Sequence, residues 1–479
     1  MYFVVGTQIV RKKVWLFFFF FFFSERHTCT TKNKTGAWYW KELELSKIDL
    51  KKHITKLELD WSSEEKSEVN EAEEADRHVQ KIAALLTEKQ LNRQFDSERP
   101  HWDVIYASLK GRENRVFGYL RCHHAIGDGV ILMKSIFGIY EKLWPGEDNK
   151  LHGFAKKIIE SGRRADIGTD LEKEATKKQN RASVLTTVDL RENSRVVKDL
   201  SFADIRKEFP GIVKDFYSLL YKEPIVPLKT VFHKADLKRE YELSVSKSIN
   251  MGNVKILCHH FSCTVNDLMI YKWLNSLSKY LHKNADKSEL AKWKQLYGDD
   301  IVVRFITVFN LRKPGSKAED AEENDLGMLP IKFPLGDMSF ESRLKIVKKI
   351  LNESKKGSSV KLSIWLTRIF YAWGGASYVA KVLEKASSKC VALLSNLKGP
   401  VLPLAIGTDG LMWRFCCATN PTFSPLTCGI ASFAGNMNVS LATDINTMTS
   451  KQSQEIVNDI LIEFDRVFKS LPDENYRWF

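Results

Sequence analysis

Cys122-His123-His124-Ala125-Ile126-Gly127-Asp128-Gly129 sets two adjacent histidines before a carboxylate that is bracketed by glycines. Upstream, Val116 to Cys122 alternates in the manner of a strand. Val116, Gly118, Leu120 and Cys122 fall on one face, and Phe117, Tyr119 and Arg121 on the other. Downstream, Val130 to Trp144 carries apolar residues at helical spacing, and Pro145-Gly146 ends the run. The spacing therefore predicts a strand, a loop holding the histidines, and a mostly buried helix. Loops at strand ends, held by a rigid scaffold, are where site residues concentrate.

On an extended backbone His123 and His124 point to opposite faces, so one cleft uses only one of them directly. An imidazole titrating near neutrality can take a proton from a hydroxyl and return it. Asp128 can hold that ring or the loop that presents it, and Gly127 and Gly129 allow close backbone approaches. Two other readings compete: a structural histidine pair at a strand end, and a metal site using His124 and Asp128. A metal site calls for further ligands at a recognisable spacing, and none follows. Cys122 lies two residues before His124. If the strand continues, both face the same way and form a Cys–His pair, an arrangement that can activate a thiol nucleophile. The competing reading of Cys122 is a small buried strand residue.

The chain has 479 residues, 44% hydrophobic and 28% charged, which predicts a globular protein of two domains. A net charge of +14 favours anionic partners. No zinc-finger spacing, RNA-binding motif or long basic block supports nucleic acid. The eight cysteines form no paired framework, and no secretory cleavage pattern is evident, so a reducing compartment and a protein that is not secreted are expected. Val14 to Phe23 is an apolar run with seven consecutive phenylalanines after Arg11-Lys12-Lys13. It is too short to span a bilayer as a helix. Residues 1–24 are therefore expected to be either a membrane-surface anchor or translated non-coding sequence.

Domains are expected at 25–150, carrying the histidines, and at 240–479, with a charged connector at 151–239. Within the first, a helix is expected over Arg77 to Gln90 and a strand over Val104 to Leu109. Within the second, strands are expected at Tyr241 to Ile249, Ile301 to Phe309, Val391 to Leu394 and up to Asp444. Helices are expected at Met251 to His260, after Thr264, at Phe340 to Leu351, Leu362 to Trp373 and Gln454 to Leu471. A turn is expected at Asn324 to Gly327, and a loop around Cys416 and Cys417. Asn266 or Asp267 fits the first-turn cap of the helix after Thr264. Strands and helices mix without a strict βα repeat, which favours α/β domains of the α+β sandwich kind over one doubly wound sheet.

Taken in order from about Lys47 to Arg466, these landmarks resemble the wax ester synthase/diacylglycerol acyltransferase family. That family lies within the CoA-dependent acyltransferases shaped like chloramphenicol acetyltransferase. Its His-His-x-x-x-Asp-Gly motif matches His123 to Gly129, and its Arg-Pro-Leu-Trp turn resembles Arg99-Pro100-His101-Trp102, with His101 in place of leucine. Asn266-Asp267 resembles the family's helix opening, and Asn310-Leu311-Arg312 its strand end. Asn324 to Gly327 resembles its Asn-x-x-Gly turn, Ser395 to Pro400 its Ser-Asn-x-x-Gly-Pro segment, and the run to Asp444 its late strand. The family has a further strand and helix before the part matching Lys47, where this chain has its polyphenylalanine region.

The resemblance implies two chloramphenicol acetyltransferase-like domains with mixed sheets and an active site at their interface. It implies transfer of a long-chain acyl group from acyl-CoA to diacylglycerol or a long-chain alcohol, with no metal and no cofactor beyond the co-substrate. His124 would be the general base, His123 structural, Asp128 and Gly129 the shapers of the loop, and Asn266, Asp267 and Trp102 supports of the substrate tunnel. A membrane or lipid-droplet surface is the expected setting, on the cytosolic face of the endoplasmic reticulum or plasma membrane. A rival expectation is an inactive lipid-binding or membrane-associated member whose first domain is incomplete, lacking a strand and a helix.

Overall fold

A computed structural model describes residues 2–9, 28–32, 38–43, 48–59, 71–86, 93–96, 98–109, 112–124, 126–133, 202–221, 240–288, 290–291, 295, 302–312, 326–336, 338–356, 359–401, 404–406, 410–418 and 424–471. The helix expected to run from Val130 to Trp144 has its start in these residues, at 129–133, and the rest of it lies outside them. The polyphenylalanine run, Asn324 and most of the charged connector also lie outside them.

Two mixed sheets carry the fold. The first contains β1 (Tyr2–Ile9), β4 (Ile54–Leu59), β5 (Trp102–Leu109), β6 (Arg112–Cys122), β12 (Leu404–Ile406) and β13 (Gly410–Ala418), in the order β12-β13-β1-β6-β5-β4. A separate hairpin joins β2 (Thr28–Lys32) to β3 (Trp38–Glu42). The alternation of β6 divides its side chains between two cores. Val116, Leu120 and Cys122 pack with Trp102, Val104 and Phe415, whereas Phe117 and Tyr119 pack with Ile105. Helix α1 (Glu71–Leu86) covers that second face through Val79, Ile82 and Ala83. It begins six residues before the expected start.

The second sheet contains β7 (Tyr241–Val245), β9 (Val302–Asn310), β10 (Leu326–Pro334), β11 (Ala392–Lys398), β14 (Leu426–Phe433) and β15 (Asn436–Asp444), in the order β10-β9-β11-β14-β15-β7, with β8 (Ile249–Asn250) also on β15. Its helices are α3 (Met251–His260), α4 (Val265–Asn284), α5 (Phe340–Lys356), α6 (Ser359–Ser387) and α7 (Ser450–Lys469). Leu268, Leu274, Leu277 and Leu281 of α4 enter the core of this half. In the connector region, α2 (Phe202–Tyr221) lies against α6, with Phe216 and Phe370 stacked at 5.5 Å.

Three boundaries differ from the sequence expectation. Gly327 belongs to β10 rather than to a turn, and a Cβ there would stand 2.4 Å from Val360, so glycine permits the approach of α6. Cys416 and Cys417 are buried in strand β13 rather than in a loop. Helix α6 continues past Trp373 to Ser387, with a break at Gly375, where φ is +66°.

The expected division into 25–150 and 240–479 also needs correction. Strands β12 and β13 come from the later segment but pair in the first sheet, where β13 lies beside β1. Strand β1 in turn pairs with β6 from Tyr2↔Arg121 to Gln8↔Arg115. The start of the apolar N-terminal segment thus occupies the centre of the sheet that carries the histidines. The halves are tied together elsewhere too: Ser440 Oγ donates to the Cys417 carbonyl at 2.6 Å, and Gln80 Nε2 to the Val245 carbonyl at 3.0 Å.

Candidate active site

Strand β6 stops at Cys122, and the backbone turns at once. Ile126 N donates to the His123 carbonyl at 3.0 Å, closing a turn with His124 at its first corner. The following helical turn at 129–133 opens on Asp128, whose Oδ1 accepts from Val130 N at 3.0 Å and Ile131 N at 3.1 Å. That carboxylate satisfies amides the helix start leaves without partners. Gly127 is required by space: a Cβ would lie 2.7 Å from Ile131 Cγ2.

The other carboxylate oxygen faces the second half of the molecule. Arg312 Nη2 donates to Asp128 Oδ2 at 2.7 Å, and both side chains are buried. Arg312 is steadied by Asn310, whose Oδ1 accepts from the Arg312 backbone N at 3.2 Å and from Nη1 at 3.3 Å. The spacing of Asn310-Leu311-Arg312 is thereby explained. The asparagine ends β9 and aims the arginine, and the arginine pins the histidine loop across the domain boundary.

His123 faces a ring cluster. Its ring is 5.6 Å from His101 and 6.3 Å from Phe95, and its N donates to the His101 carbonyl at 2.9 Å. Arg121 lies over Phe95 at 4.2 Å and donates through Nε to Asp103 at 3.0 Å. Burial, reinforced by the His101 charge, pushes the His123 pKa down to about 4. His101, in the place of the family's leucine, is a buried member of this cluster, and burial lowers its pKa as well.

Burial also lowers the pKa of His124, with nearby Asp128 acting in the opposite direction. Solvent nevertheless reaches both imidazoles. Crowding by protein together with access to water describes a side chain in a recess. The neutral form is favoured there, and a neutral imidazole is the form that accepts a proton.

The other expected site residues take distinct places. Trp102 is fully buried and pairs with Cys122 across β5 and β6, and its carbonyl stands 2.8 Å from His53 Nδ1. It underlies the histidine loop. Gly129 is buried at the start of the helical turn. Asp267 closes a capping box on α4: its Oδ2 accepts from Thr264 N at 2.9 Å, and Thr264 Oγ1 accepts from Asp267 N at 3.2 Å. The carboxylate thus serves as the first-turn cap that its position suggests. Asn266 is half-buried in the same turn. Cys122 packs among Trp102, Ile126, Leu132 and Cys417 at the last position of β6. Because the strand ends there, the shared strand face needed for a Cys122–His124 pair is absent.

Two contributions had no role assigned from sequence. Arg312 was visible only as the end of a motif, since its partner lies 184 residues away. Leu397, within the Ser395 to Pro400 segment, packs in the core beneath the histidine loop with Trp102 and Cys122. Gly399 N donates to the Ser432 carbonyl at 2.8 Å, and Pro400 O accepts from Ala434 N at 2.9 Å.

The fold and this junction define the class: a two-domain, chloramphenicol acetyltransferase-like α/β protein. The solved wax ester synthase/diacylglycerol acyltransferase from Marinobacter aquaeolei VT8 has this fold, with a TM-score of 0.53 at 13% identity over 98% of this chain and 95% of that one. The SgcC5 protein from Streptomyces globisporus matches with a TM-score of 0.52 at 11% identity, over 98% and 92%. The first condensation domain of the calcium-dependent antibiotic synthetase matches at 0.51 and 11%, over 98% and 89%.

The sequence also resembles the wax ester synthase/diacylglycerol acyltransferase family. Residues 323–467 match the model of the WS/DGAT C-terminal domain. Wax ester synthase/diacylglycerol acyltransferase 7 of Arabidopsis thaliana is 22% identical over 366 residues, 73% of this chain and 72% of that protein. Number 4 of the same plant is 22% identical over 320 residues, 64% of this chain and 58% of that protein. The match thus spans less than two thirds of some of these relatives.

Proposed function

We propose that this protein transfers a long-chain acyl group from acyl-CoA to the hydroxyl of diacylglycerol or of a long-chain alcohol. The resemblance to the wax ester synthase/diacylglycerol acyltransferases supports acyl transfer to such acceptors. The observation that carries the chemical reading is the solvent-accessible, neutral-favouring His124 on a loop pinned by Asp128 and Arg312.

A ring nitrogen of His124 takes the acceptor's proton as the oxygen attacks the thioester carbonyl carbon. The C–O bond forms, the C–S bond breaks, and the imidazolium returns the proton to the departing CoA sulfur. A positioned base of this kind contributes about 10²–10⁴-fold, with orientation and electrostatic stabilisation supplying the rest. Asp128 and Gly129 shape the loop, His123 and Trp102 support it, and Asn266 lends polar support from the second half. The chemistry needs no metal or further cofactor.

The rival reading, an inactive lipid-binding or membrane-associated member, drew its force from a strand and a helix missing from the first domain. Strand β1 lies between β6 and β13 and supplies a strand there, which weakens that ground. Incubating the purified protein with long-chain acyl-CoA and, separately, diacylglycerol and a fatty alcohol tests the proposal. Ester formation with either acceptor is expected. Free CoA release without ester, or no turnover with any acceptor, contradicts it.

A further inference from the structure

Helices α2 and α6 carry seven of the ten large apolar side chains that are exposed among the described residues. Six of those seven are tyrosine or tryptophan: Tyr217, Tyr221, Trp365, Tyr371, Trp373 and Tyr378. Trp373 is 89% exposed at the tip of the group. A concentration of this kind marks an interaction surface rather than scattered surface residues.

The local structure holds these rings in place. Gly375, with φ +66° and ψ −173°, breaks α6 and re-aims its second part. Tyr378 folds back over the break, so that a Cβ on Gly374 would stand 2.5 Å from the Tyr378 Cβ. Phe216 of α2 stacks on Phe370 at 5.5 Å, and Phe370 meets Tyr378 edge-on at 6.1 Å. Phe216, Phe370 and Tyr378 thus form a packed aromatic base for the knuckle, on which Tyr371 and Trp373 are exposed.

The charge pattern indicates what covers it. Residues 369–380 contain no Asp, Glu, Lys, Arg or His and are flanked by Arg368 and Lys381. In sequence, α6 carries Lys361, Arg368, Lys381 and Lys385 against the single carboxylate Glu384, whereas α2 balances Arg206, Lys207 and Lys214 with Asp204, Glu208 and Asp215. Tyrosine and tryptophan favour the boundary between headgroups and acyl chains, and flanking cations favour anionic headgroups. The uncharged run of twelve residues is too short to cross a bilayer, and no helix among the described residues is long and apolar enough to do so. A surface-lying element fits both facts.

We propose that the aromatic knuckle of α6, with the adjoining face of α2, seats this protein on the surface of an anionic phospholipid bilayer. The same helix reaches the site: Val360 and Ile364 pack against Gly327 beside Leu311, the neighbour of Arg312. Trp373 lies about 20 Å further along the helix at 1.5 Å per residue. A bilayer-seated knuckle therefore holds the candidate site near the surface where an amphiphilic acceptor resides. That last point rests on the acyl-transfer reading; the docking itself does not.

The test is sedimentation of the full-length protein with phosphatidylcholine vesicles, with and without phosphatidylserine, in the absence of substrates. Wild type is expected to sediment with the anionic vesicles and to be released by salt. Trp373→Ser combined with Tyr371→Ser is expected to weaken binding about tenfold or more. Arg368→Glu with Lys381→Glu is expected to weaken it on anionic vesicles only. An unchanged melting temperature confirms that these exposed substitutions leave the fold intact. Wild-type binding by the Trp373/Tyr371 variant overturns the proposal and assigns any membrane affinity to another segment, such as Val14 to Phe23. So does loss of self-association in that variant when the wild type ignores vesicles, which makes the knuckle a contact between copies. Turnover is not read, so failure here leaves the acyltransferase reading standing.

Discussion

Arg312 and Asp128 form a buried ion pair at 2.7 Å that joins the end of β9 in one sheet to the histidine loop at the end of β6 in the other. The same carboxylate caps the helical turn after the loop, so one side chain fixes the loop's shape and its position against the second half of the molecule. Breaking such a pair from one side leaves a buried charge without its partner.

Arg312→Ala is accordingly expected to destabilise the protein by about 3–5 kcal/mol. Replacing both partners, with Asp128→Asn added, is expected to recover part of that loss. Urea unfolding midpoints for the two single variants and the double variant check the coupling. Equal and additive losses would show that the pair holds nothing together.

His123 and pH form a second test. Burial lowers its pKa in the folded state from 6.5 to about 4. The unfolded chain therefore binds more protons between those values, and stability rises with pH across that window. The contribution is complete above 6.5 and is lost as pH falls towards about 4. Melting temperatures from pH 7 to pH 4 are expected to fall less steeply in His123→Asn than in wild type.

Gly127 admits no larger residue without movement of Ile131. Gly127→Ala is expected to cost about 1–3 kcal/mol, the usual range for overpacking. Adding Ile131→Ala should relieve the clash. Activity that returns with the double substitution would locate the defect in loop packing rather than in chemistry.

Cys122 ends its strand inside the core, and His124 sits beyond the turn. Cys122→Ala is expected to retain turnover, with a modest loss of stability from the vacated space. Loss of turnover in a folded variant, or an acyl group trapped on Cys122, would restore the covalent route.

Much of this architecture is legible in local patterns. The period-two alternation of Val116 to Cys122 predicts the two buried faces of β6, and Met251 to His260 matches α3. The histidine loop announces itself through its neighbours, Asn310-Leu311-Arg312 and Ser395 to Pro400. Long-range pairing is what local patterns leave out. Strand β1 merges in sequence with the apolar run that follows it, and only its ladders with β6 and β13 distinguish it. Strands β12 and β13 sit among glycines and prolines, so they read as loop until a distant sheet supplies their hydrogen bonds. Asp267 shows a local pattern read directly, since the first-turn cap expected after Thr264 is the one its side chain closes. Arg312 needed its partner's position before its role could be seen.

The central claim is that His124 removes the proton from the attacking hydroxyl. The most direct measurement is the pH profile of acyl-CoA-dependent ester formation, taken for wild type and for His124→Ala with the fold of each verified. Wild type is expected to show an acid limb below the ordinary histidine value of 6.5, because burial lowers the His124 pKa. His124→Ala should lower the rate about 10²–10⁴-fold and abolish that limb. An alanine variant that turns over at the wild-type rate, with the limb unmoved, would contradict the claim.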